Sequence, residues 1–122
     1  MIATKKHTIR TLSKVKPFAF EGMSIRPLIA KEETKKMVAY HIRIPSNTRI
    51  PHSYHKEAYE TIFVLGGQGT VFLDHKKYPI KANDSIYIRP RVWHSFSTGK
   101  RSMTVLAVLA PRADPKTDLY HR

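Results

Sequence analysis

Apolar and polar residues alternate along several short segments of the chain, and turn-forming residues separate these segments. Val38–Ile44 (VAYHIRI) carries an apolar side chain at every second position, which predicts a strand with one buried face. Similar patterns predict further strands at Thr8–Val15, Ser24–Ala30, Thr61–Leu65, Thr70–Leu73, Ser85–Ile88, His94–Ser97 and Met103–Leu109. Short strands joined by frequent turns indicate an all-β fold of antiparallel strands, built as a barrel or a sandwich.

The chain lacks the sustained periodicity of an amphipathic helix. Its charged segment Lys31–Lys36 (KEETKK) is predicted to be a solvated hairpin turn. With 122 residues and no visible domain boundary, the chain is expected to form a single domain over residues 1–122. Within this domain we expect a strand-forming N-terminal arm over about 1–30 and a polar C-terminal tail over 112–122.

The chain is strongly basic, with 22 lysines and arginines, 9 aspartates and glutamates, and a formal net charge of +13. Such a field favours anionic ligands or surfaces, although the same charges also serve simply to keep a protein surface solvated. The chain lacks stripes of interleaved basic and aromatic residues, and it has no helix-turn-helix pattern. We therefore expect an anionic small molecule, and not nucleic acid, as the partner.

The absence of cysteine excludes disulfide bonds and thiolate chemistry. The N-terminal segment MIATKKHTIR has no apolar core of the kind found in secretory signals. The longest apolar run, residues 103–111, is too short to cross a membrane as a helix. From these observations we expect a cytoplasmic protein without a membrane partner.

Two segments, Asn47–Gly67 and Asn83–Thr98, hold the residues best suited to chemistry. In the first segment a polar turn separates His55 from Glu60, so two neighbouring strands can place an imidazole and a carboxylate on one wall. In the second segment His94 begins a strand after a proline-containing break. Two imidazoles and one carboxylate form a ligand set that divalent transition metals accept.

These segments resemble the two sequence motifs of the cupin superfamily, G-x5-H-x-H-x4-E-x6-G and G-x5-P-x-G-x2-H-x3-N. Both match their motif in length without gaps, and the 15 residues between them, Gln68–Ala82, are typical of small members. His55, Glu60 and His94 stand at motif positions for metal ligands. The resemblance implies an antiparallel double-stranded β-helix, or jelly-roll barrel, that dimerises through edge strands, with Thr8–Val15 as the candidate for exchange. It also implies one divalent transition metal (Fe, Mn, Ni, Zn or Cu), or an empty site.

The sequence departs from the first motif at Ser53, which stands where the motif has its first histidine. Side chains alternate along a strand, so His52 faces away from His55 unless a β-bulge at Ser53-Tyr54 turns it inward. With such a bulge, four residues become metal ligands: His52, His55, Glu60 and His94. Without it, the site has three ligands or none.

The remaining departures fall on turn positions. Asn47 and Asn83 stand at two motif glycines, and asparagine is the residue next best able to adopt a positive φ. We expect both turns to survive for that reason. Arg89 and Arg91 stand at the proline and glycine of the second motif, and Thr98 stands at its asparagine.

Several residues are candidates for substrate binding. His41 and Arg43 share one face of a strand and line the barrel if that face points inward, whereas the opposite assignment puts the alternate residues inside. Arg89 and Arg91 could hold a carboxylate or phosphate through their guanidinium groups. Trp93 lies next to His94 and could form an apolar wall.

Three functions stay open at this point, because a fold does not fix a reaction. The favoured one is a metalloenzyme of dioxygenase, decarboxylase, isomerase or lyase type acting on a small polar or anionic substrate, with catalytic residues Glu60, His55 and Tyr54. The second resembles the metal-free cupin epimerases, isomerases and dehydratases of sugars or sugar nucleotides, which use a histidine base and a tyrosine acid, here Tyr54 or Tyr59. The third is a non-catalytic protein that binds a small molecule.

Overall fold

The computed structural model describes residues 1–4, 6–112 and 119–121, the last three by their backbone alone. These residues form strands β1 (Ile2–Ala3), β2 (Thr8–Ile9), β3 (Phe18–Phe20), β4 (Met23–Ile29), β5 (Val38–Ile44), β6 (Ser53–His55), β7 (Tyr59–Leu73), β8 (Lys76–Lys81), β9 (Ser85–Ile88), β10 (His94–Ser97), β11 (Met103–Ala110) and β12 (Leu119–His121). A short 3-10 helix spans Leu12–Lys14. The predicted all-β, antiparallel fold class is confirmed. Across the described ranges, no helix has the length and apolar character needed to cross a membrane.

Ten strands form one continuous hydrogen-bonded sheet that curls around the long strand β7. In the first half of the sheet, residues 59–67 of β7 pair with β11 on one edge, and residues 60–63 pair with β9 on the other. In the second half, residues 70–73 pair with β10 and residues 68–73 pair with β8. Strand β7 therefore belongs to both halves, and the curled sheet is the arrangement expected of a double-stranded β-helix.

The two strands predicted at Thr61–Leu65 and Thr70–Leu73 are one continuous strand, so their separation by a glycine turn is wrong. Thr104 pairs with Gly66 and the next residue pairs with Val64, which leaves one extra residue in β7. Such a β-bulge bends a strand without ending it. The bulge thus carries β7 from the first half of the sheet into the second.

Gly67 follows this bulge and has a φ of 78°. A Cβ atom at Gly67 would collide with the backbone oxygen of Ser102, whereas a Cβ at Gly66 would meet nothing within 4 Å. Glycine at position 67 is therefore required by both the backbone conformation and the close approach of the neighbouring chain.

Two other predictions at the periphery need correction or completion, and one strand was not predicted. The predicted strand Thr8–Val15 is wrong in extent, because within it the strand spans Thr8–Ile9, which pairs with Ile2–Ala3 in a separate two-stranded sheet, and a 3-10 helix follows. Strand β8 gives no sequence signal because Ile80 is its one buried residue. Of the predicted tail, β12 pairs with β6, while residues 113–118 and 122 lie outside the described residues.

Glu33 ties the N-terminal arm to the turn between β4 and β5. Its carboxylate accepts hydrogen bonds from the Ala30 backbone N–H at 2.8 Å and the Thr8 hydroxyl at 2.9 Å, and it pairs with Arg10 at 2.5 Å. The hydrogen bond from Ala30, followed by that from Arg10, lowers the pKa of Glu33 from 4.5 to about 2. The turn predicted at Lys31–Lys36 is confirmed, and it also anchors the arm.

The apolar core lies inside the curl of the sheet. Along β7 the buried residues Glu60, Ile62 and Val64 alternate with exposed residues, so one face of the strand points inward. The core also includes Val38, Ile44, Val71, Met103 and Val105. Glu60 is thus the polar member of a row of inward-facing apolar side chains.

Residues with a positive φ form turns around this core, as expected for asparagines that stand at motif glycines. Asn47 has a φ of 52° and Asn83 a φ of 76°, and the Asn47 backbone N–H donates to the carbonyl of Gly99 at 2.7 Å. Arg91, at the third such position, has a φ of 68°, and its backbone N–H donates to the carbonyl of His55 at 2.7 Å. The strained Arg91 therefore holds the end of β6 in place.

Candidate functional site

Three strands bring His55, Glu60 and His94 together inside the curled sheet. Oε1 of Glu60 lies 3.3 Å from Nε2 of His94 and 3.5 Å from Nε2 of His55. The two imidazole rings are roughly stacked, with centroids 5.4 Å apart. One ligand atom from each of the three residues lies within 4.8 Å of the others. The three residues meet as their places in the two motifs imply, while their role as metal ligands stays a prediction.

The three side chains come from both halves of the sheet. Glu60 pairs with Leu109 of β11 and Ile88 of β9 in the first half. His94 pairs with Ser53 of β6 and with β7 near its C-terminal end in the second half. We call the place where these side chains meet the seam site, defined by His55, Glu60 and His94.

A backbone contact orients the ring of His94. Its Nδ1 lies 2.9 Å from the carbonyl oxygen of Val92. A carbonyl oxygen can only accept a hydrogen bond, so Nδ1 carries a proton and Nε2 is the nitrogen that faces Glu60. Metal-binding histidines in proteins are usually oriented in this way.

Glu60 is a buried carboxylate with a side-chain exposure of 9%. Burial alone raises the pKa of Glu60, but the hydrogen bond from His55 and the charges of His94 and His55 outweigh it, so the pKa lies below its usual value. The seam site therefore favours the charged carboxylate whenever positive charge is present on its other members.

His52 does not join the seam site, and the four-ligand arrangement is corrected accordingly. Ser53, Tyr54 and His55 pair one to one with consecutive residues of β12, so the described pairing of β6 contains no bulge. His52 instead packs edge-on against Phe72, with ring centroids 5.6 Å apart. Regular alternation therefore turns Ser53 and His55 to one face and His52 to the other.

A cavity of about 160 Å³ opens onto the seam site. Aromatic and aliphatic side chains dominate its lining, which includes Phe18, Phe20, Met23, Ile25, Tyr40, Ile42, Ile44, Ile50, Ile62, Phe96, Val105, Ala107 and Leu109. The polar side chains of the lining are Ser53, Ser95, Glu21 and the seam site itself. Ser53, which stands where the motif has its first histidine, therefore lines this cavity with a small side chain.

The inward face of β5 carries Tyr40 and Ile42, so the alternative that put His41 and Arg43 inside is wrong. His41 pairs across the sheet with Arg26, and burial together with the charge of Arg26 lowers the pKa of His41. Arg43 is exposed. Neither side chain reaches the cavity, because strand alternation turns both to the outer face.

The remaining candidates also lie outside the cavity. Arg89 and Arg91 are exposed at the turn before β10 and are absent from its lining. Tyr54 packs edge-on against Trp93, with ring centroids 4.6 Å apart, and neither lines the cavity. Tyr59 is exposed. The structure therefore gives these arginines, Trp93 and both tyrosines no place in the lining of this cavity, and their roles toward a substrate stay predictions.

Sequence reasoning missed the contribution of the N-terminal arm to the cavity. Phe18, Phe20 and Met23 come from the hairpin of β3 and β4, whose tight turn contains Glu21 with a φ of 51°. The Glu21-Gly22 pair, between the aromatic run Phe18–Phe20 and the mainly apolar run Met23–Ile29, is a hairpin signal that could have located this wall. Among the residues that the structure describes, Tyr40 is the only tyrosine that lines this cavity.

The seam site suits a divalent metal on the chemistry of its donors. Atoms that share one ion at about 2.1 Å are separated from each other by about 3–3.5 Å. The separations of Glu60 Oε1 from Nε2 of His55 and of His94, 3.5 and 3.3 Å, fall in that range. A mixed set of imidazole and carboxylate ligands is accepted by Fe, Mn, Ni, Zn and Cu alike, so it does not select the element.

The chain was compared with known families and proteins. A family model for the cupin domain matches residues 40–109, which is more than half of the chain. An uncharacterized protein of Methanocaldococcus jannaschii is 30% identical over 86 residues, covering 66% of this chain and 67% of that protein.

Similar solved structures include several enzymes. Streptomyces Pac13 with uridine, from a protein described as a nucleoside dehydratase, has a TM-score of 0.79 at 18% identity and covers 95% of this chain and 90% of its own. The polyketide cyclase RemF from Streptomyces resistomycificus has a TM-score of 0.82 at 18% identity, covering 94% and 84%. A predicted oxalate decarboxylase from Thermotoga maritima has a TM-score of 0.78 at 21% identity, covering 85% and 99%. At these identities the likeness establishes the fold.

Proposed function

Because this chain belongs to the cupin family, we propose that it is an enzyme that holds one divalent metal at the seam site and acts on a small molecule in the adjoining cavity. The observation that carries the proposal is the convergence of His55, Glu60 and His94, buried at the wall of a cavity. Structurally similar proteins include a nucleoside dehydratase, a polyketide cyclase and a predicted oxalate decarboxylase, which supports an enzymatic use of this fold.

A bound divalent metal would act as a Lewis acid that polarises a substrate oxygen. The chain's own residues prepare the site for this. The carbonyl of Val92 fixes the His94 ring so that Nε2 faces the seam site. Glu60 can hold or release a proton at Oε1, between the two imidazoles. The apolar lining keeps bulk water away from the reacting atoms, which strengthens each electrostatic interaction inside.

Elemental analysis of untagged protein, purified without chelator or immobilised metal, tests the metal. We expect near-stoichiometric Fe, Mn, Ni, Zn or Cu in the wild type and its loss in His94→Gln. His52→Gln is the matched control, since His52 is a neighbouring histidine on the other face of the strand, and it should retain the metal. A wild type that takes up none of these ions, even after incubation with each, would contradict the proposal.

A metal-free acid–base enzyme is the second candidate, and Ser53 at the position of the first motif histidine favours it. In that case Glu60 or a seam-site histidine would be the base. Tyr40, which lines the same cavity, replaces Tyr54 and Tyr59 as the candidate acid. If metal-depleted protein turns over a substrate, and if Tyr40→Phe lowers that turnover, this candidate is favoured over the metalloenzyme.

We further propose that the protein is a cytoplasmic homodimer. The outer face of the first half of the sheet exposes Phe63, Leu65 and Tyr87, together with Tyr59 stacked on Tyr87 at 6.5 Å. Exposed apolar patches of this kind commonly mark protein contacts. Light scattering at micromolar concentration should give the mass of a dimer, and a Tyr87→Lys variant should shift it toward the monomer. A monomeric wild type would contradict the dimer.

A further inference from the structure

The cavity and the protein surface differ in charge. The chain carries a formal net charge of +13. In the described part of the chain, however, the cavity is lined by no lysine or arginine, and its formally charged side chains are Glu21 and Glu60. The basic residues expected to hold an anion, Arg89 and Arg91, are exposed at a turn. The positive surface therefore offers no cationic partner to a ligand once that ligand is inside.

An anionic group entering this cavity would lose its hydration without gaining a protein cation. Burial of a charged group without a partner is strongly unfavourable. Glu60 adds negative charge at the inner end. A metal at the seam site could accept one substrate oxygen, but the rest of the ligand would still face apolar walls. The lining therefore selects against carboxylates and phosphates and favours an uncharged ligand.

The walls are suited to a ring. Phe18 and Phe20 enter from the N-terminal arm, Phe96 from β10 and Tyr40 from β5. Aromatic side chains pack favourably against other rings in offset and edge-on arrangements. Isoleucines from several strands fill the spaces between them. Such a lining recognises apolar surface and leaves the seam site as the place for a polar substituent.

The volume limits the ligand to one ring. The cavity measures about 160 Å³, and an engineered apolar cavity of about 150 Å³ in another protein holds a benzene molecule. A single six-membered ring with small substituents therefore fits, whereas a nucleoside or a polycyclic compound would have to extend out of the cavity.

We propose that the substrate is an uncharged, largely apolar molecule with a single ring, which turns a hydroxyl or carbonyl oxygen toward His55, Glu60 and His94. This inference rests on the proposed function for the role of the site, but it depends on the cavity alone for the class of ligand. If the cavity alone recognises the ligand, the ring of the ligand should bind whether or not a metal is present.

Binding to metal-depleted wild type at pH 7.5, measured by calorimetry and by ligand-observed NMR, tests the ligand class. Phenol is the neutral probe, benzoate presents the same ring with a negative charge, and uridine is the larger probe. We expect phenol to bind at least tenfold more tightly than either. Equal or tighter binding of benzoate or uridine, or no binding of phenol, would overturn the proposal.

Variants that fill the cavity test the place of binding. Ile42→Trp should weaken phenol binding at least tenfold, while Leu106→Trp, on the outward face of the neighbouring strand, should leave it unchanged. If Ile42→Trp does not fold, Ala107→Leu with Val108→Leu as its control makes the same comparison. Unchanged phenol binding in a folded, cavity-filled variant would overturn the proposal.

The two proposals fail separately. Selective phenol binding in a protein that takes up no metal would remove the metalloenzyme and leave the ligand class standing. Stoichiometric metal in a protein that prefers benzoate would do the reverse. Added Mn²⁺ gives the last check, because it should broaden the phenol resonances in the wild type and leave them sharp in His94→Gln. Equal broadening in both would place the phenol oxygen away from the seam site and overturn that part of the proposal.

Discussion

Replacement of Glu60 by leucine should stabilise the metal-depleted protein at pH 8 while abolishing metal binding. Glu60 is 7% exposed, its carboxylate lies against the imidazoles of His55 and His94, and the adjoining cavity has a mainly apolar lining. Taking a carboxylate out of water costs several kcal/mol, and the hydrogen bond from His55 and the charges of His94 and His55 offset this cost. Leucine removes both the cost and the offset and adds apolar contact with the lining of the adjoining cavity, which has room for its slightly larger side chain.

The expected gain follows from known replacements of buried charges. Substituting a buried ionic group with an apolar one of similar size is neutral to stabilising by about 1–4 kcal/mol. We expect the lower part of this range, about 1–2 kcal/mol, because the hydrogen bond and charges that lower the pKa of Glu60 are also lost. For a chain of this size this corresponds to a rise in Tm of about 4–8 °C.

Urea unfolding with a chelator present, followed by circular dichroism and by Trp93 fluorescence, measures the effect. Ile62→Val, two residues along the same inward face, is the control and should lose about 0.5–1.5 kcal/mol. A loss of more than about 1 kcal/mol in Glu60→Leu at pH 8, the net value of one hydrogen bond, would refute the reasoning.

The remaining predictions concern the turns and the N-terminal arm. Gly67→Ala should cost about 2–4 kcal/mol in urea unfolding, from a positive φ and a collision with backbone, whereas Gly66→Ala should be close to neutral. Arg91→Gly should raise Tm by a few degrees, because relief of about 1–2 kcal/mol of left-handed strain exceeds the entropy that glycine adds to the unfolded chain, while Arg89→Gly should lower it. Glu33→Gln should cost about 1 kcal/mol or less, as for a partly exposed pair. Because the pKa of Glu33 is lowered from 4.5 to about 2, its contribution is present above pH 4.5 and lost as the pH falls toward 2, so variant and wild type should converge there in acid unfolding.

Local patterns in the sequence were sufficient for the fold class, and the resemblance to the cupin motifs predicted the assembly of the seam site. Alternation located β5, β9 and β10 with their observed bounds. The spacing of His55, Glu60 and His94 depends on strand ends and turns that Asn47 and Asn83 complete at positive φ. Strand alternation is set by residues near one another in the chain, whereas the meeting of His94 with His55 and Glu60 was implied by the two motifs.

The walls of the site depend on contacts that the sequence pattern does not contain. Either face of β5 could have pointed inward, because Tyr40 on one face and His41 on the other are both half-buried. The alternation of β6 excluded His52, but only the observed pairing decided against a bulge. The aromatic wall from Phe18 and Phe20 required knowledge of where the N-terminal arm folds back.

Because β7 serves both halves of the sheet, the seam site has a dynamic consequence. Glu60 belongs to the pairing of the first half and His94 to that of the second, so an ion bound by both would restrain the two halves against each other. Opening of the sheet at this place would then require release of the ion as well as of hydrogen bonds. Amide hydrogen exchange in β6, β9 and β10 should therefore slow when the metal binds, while exchange in the N-terminal β1–β2 sheet, which lies outside this pairing, should not change.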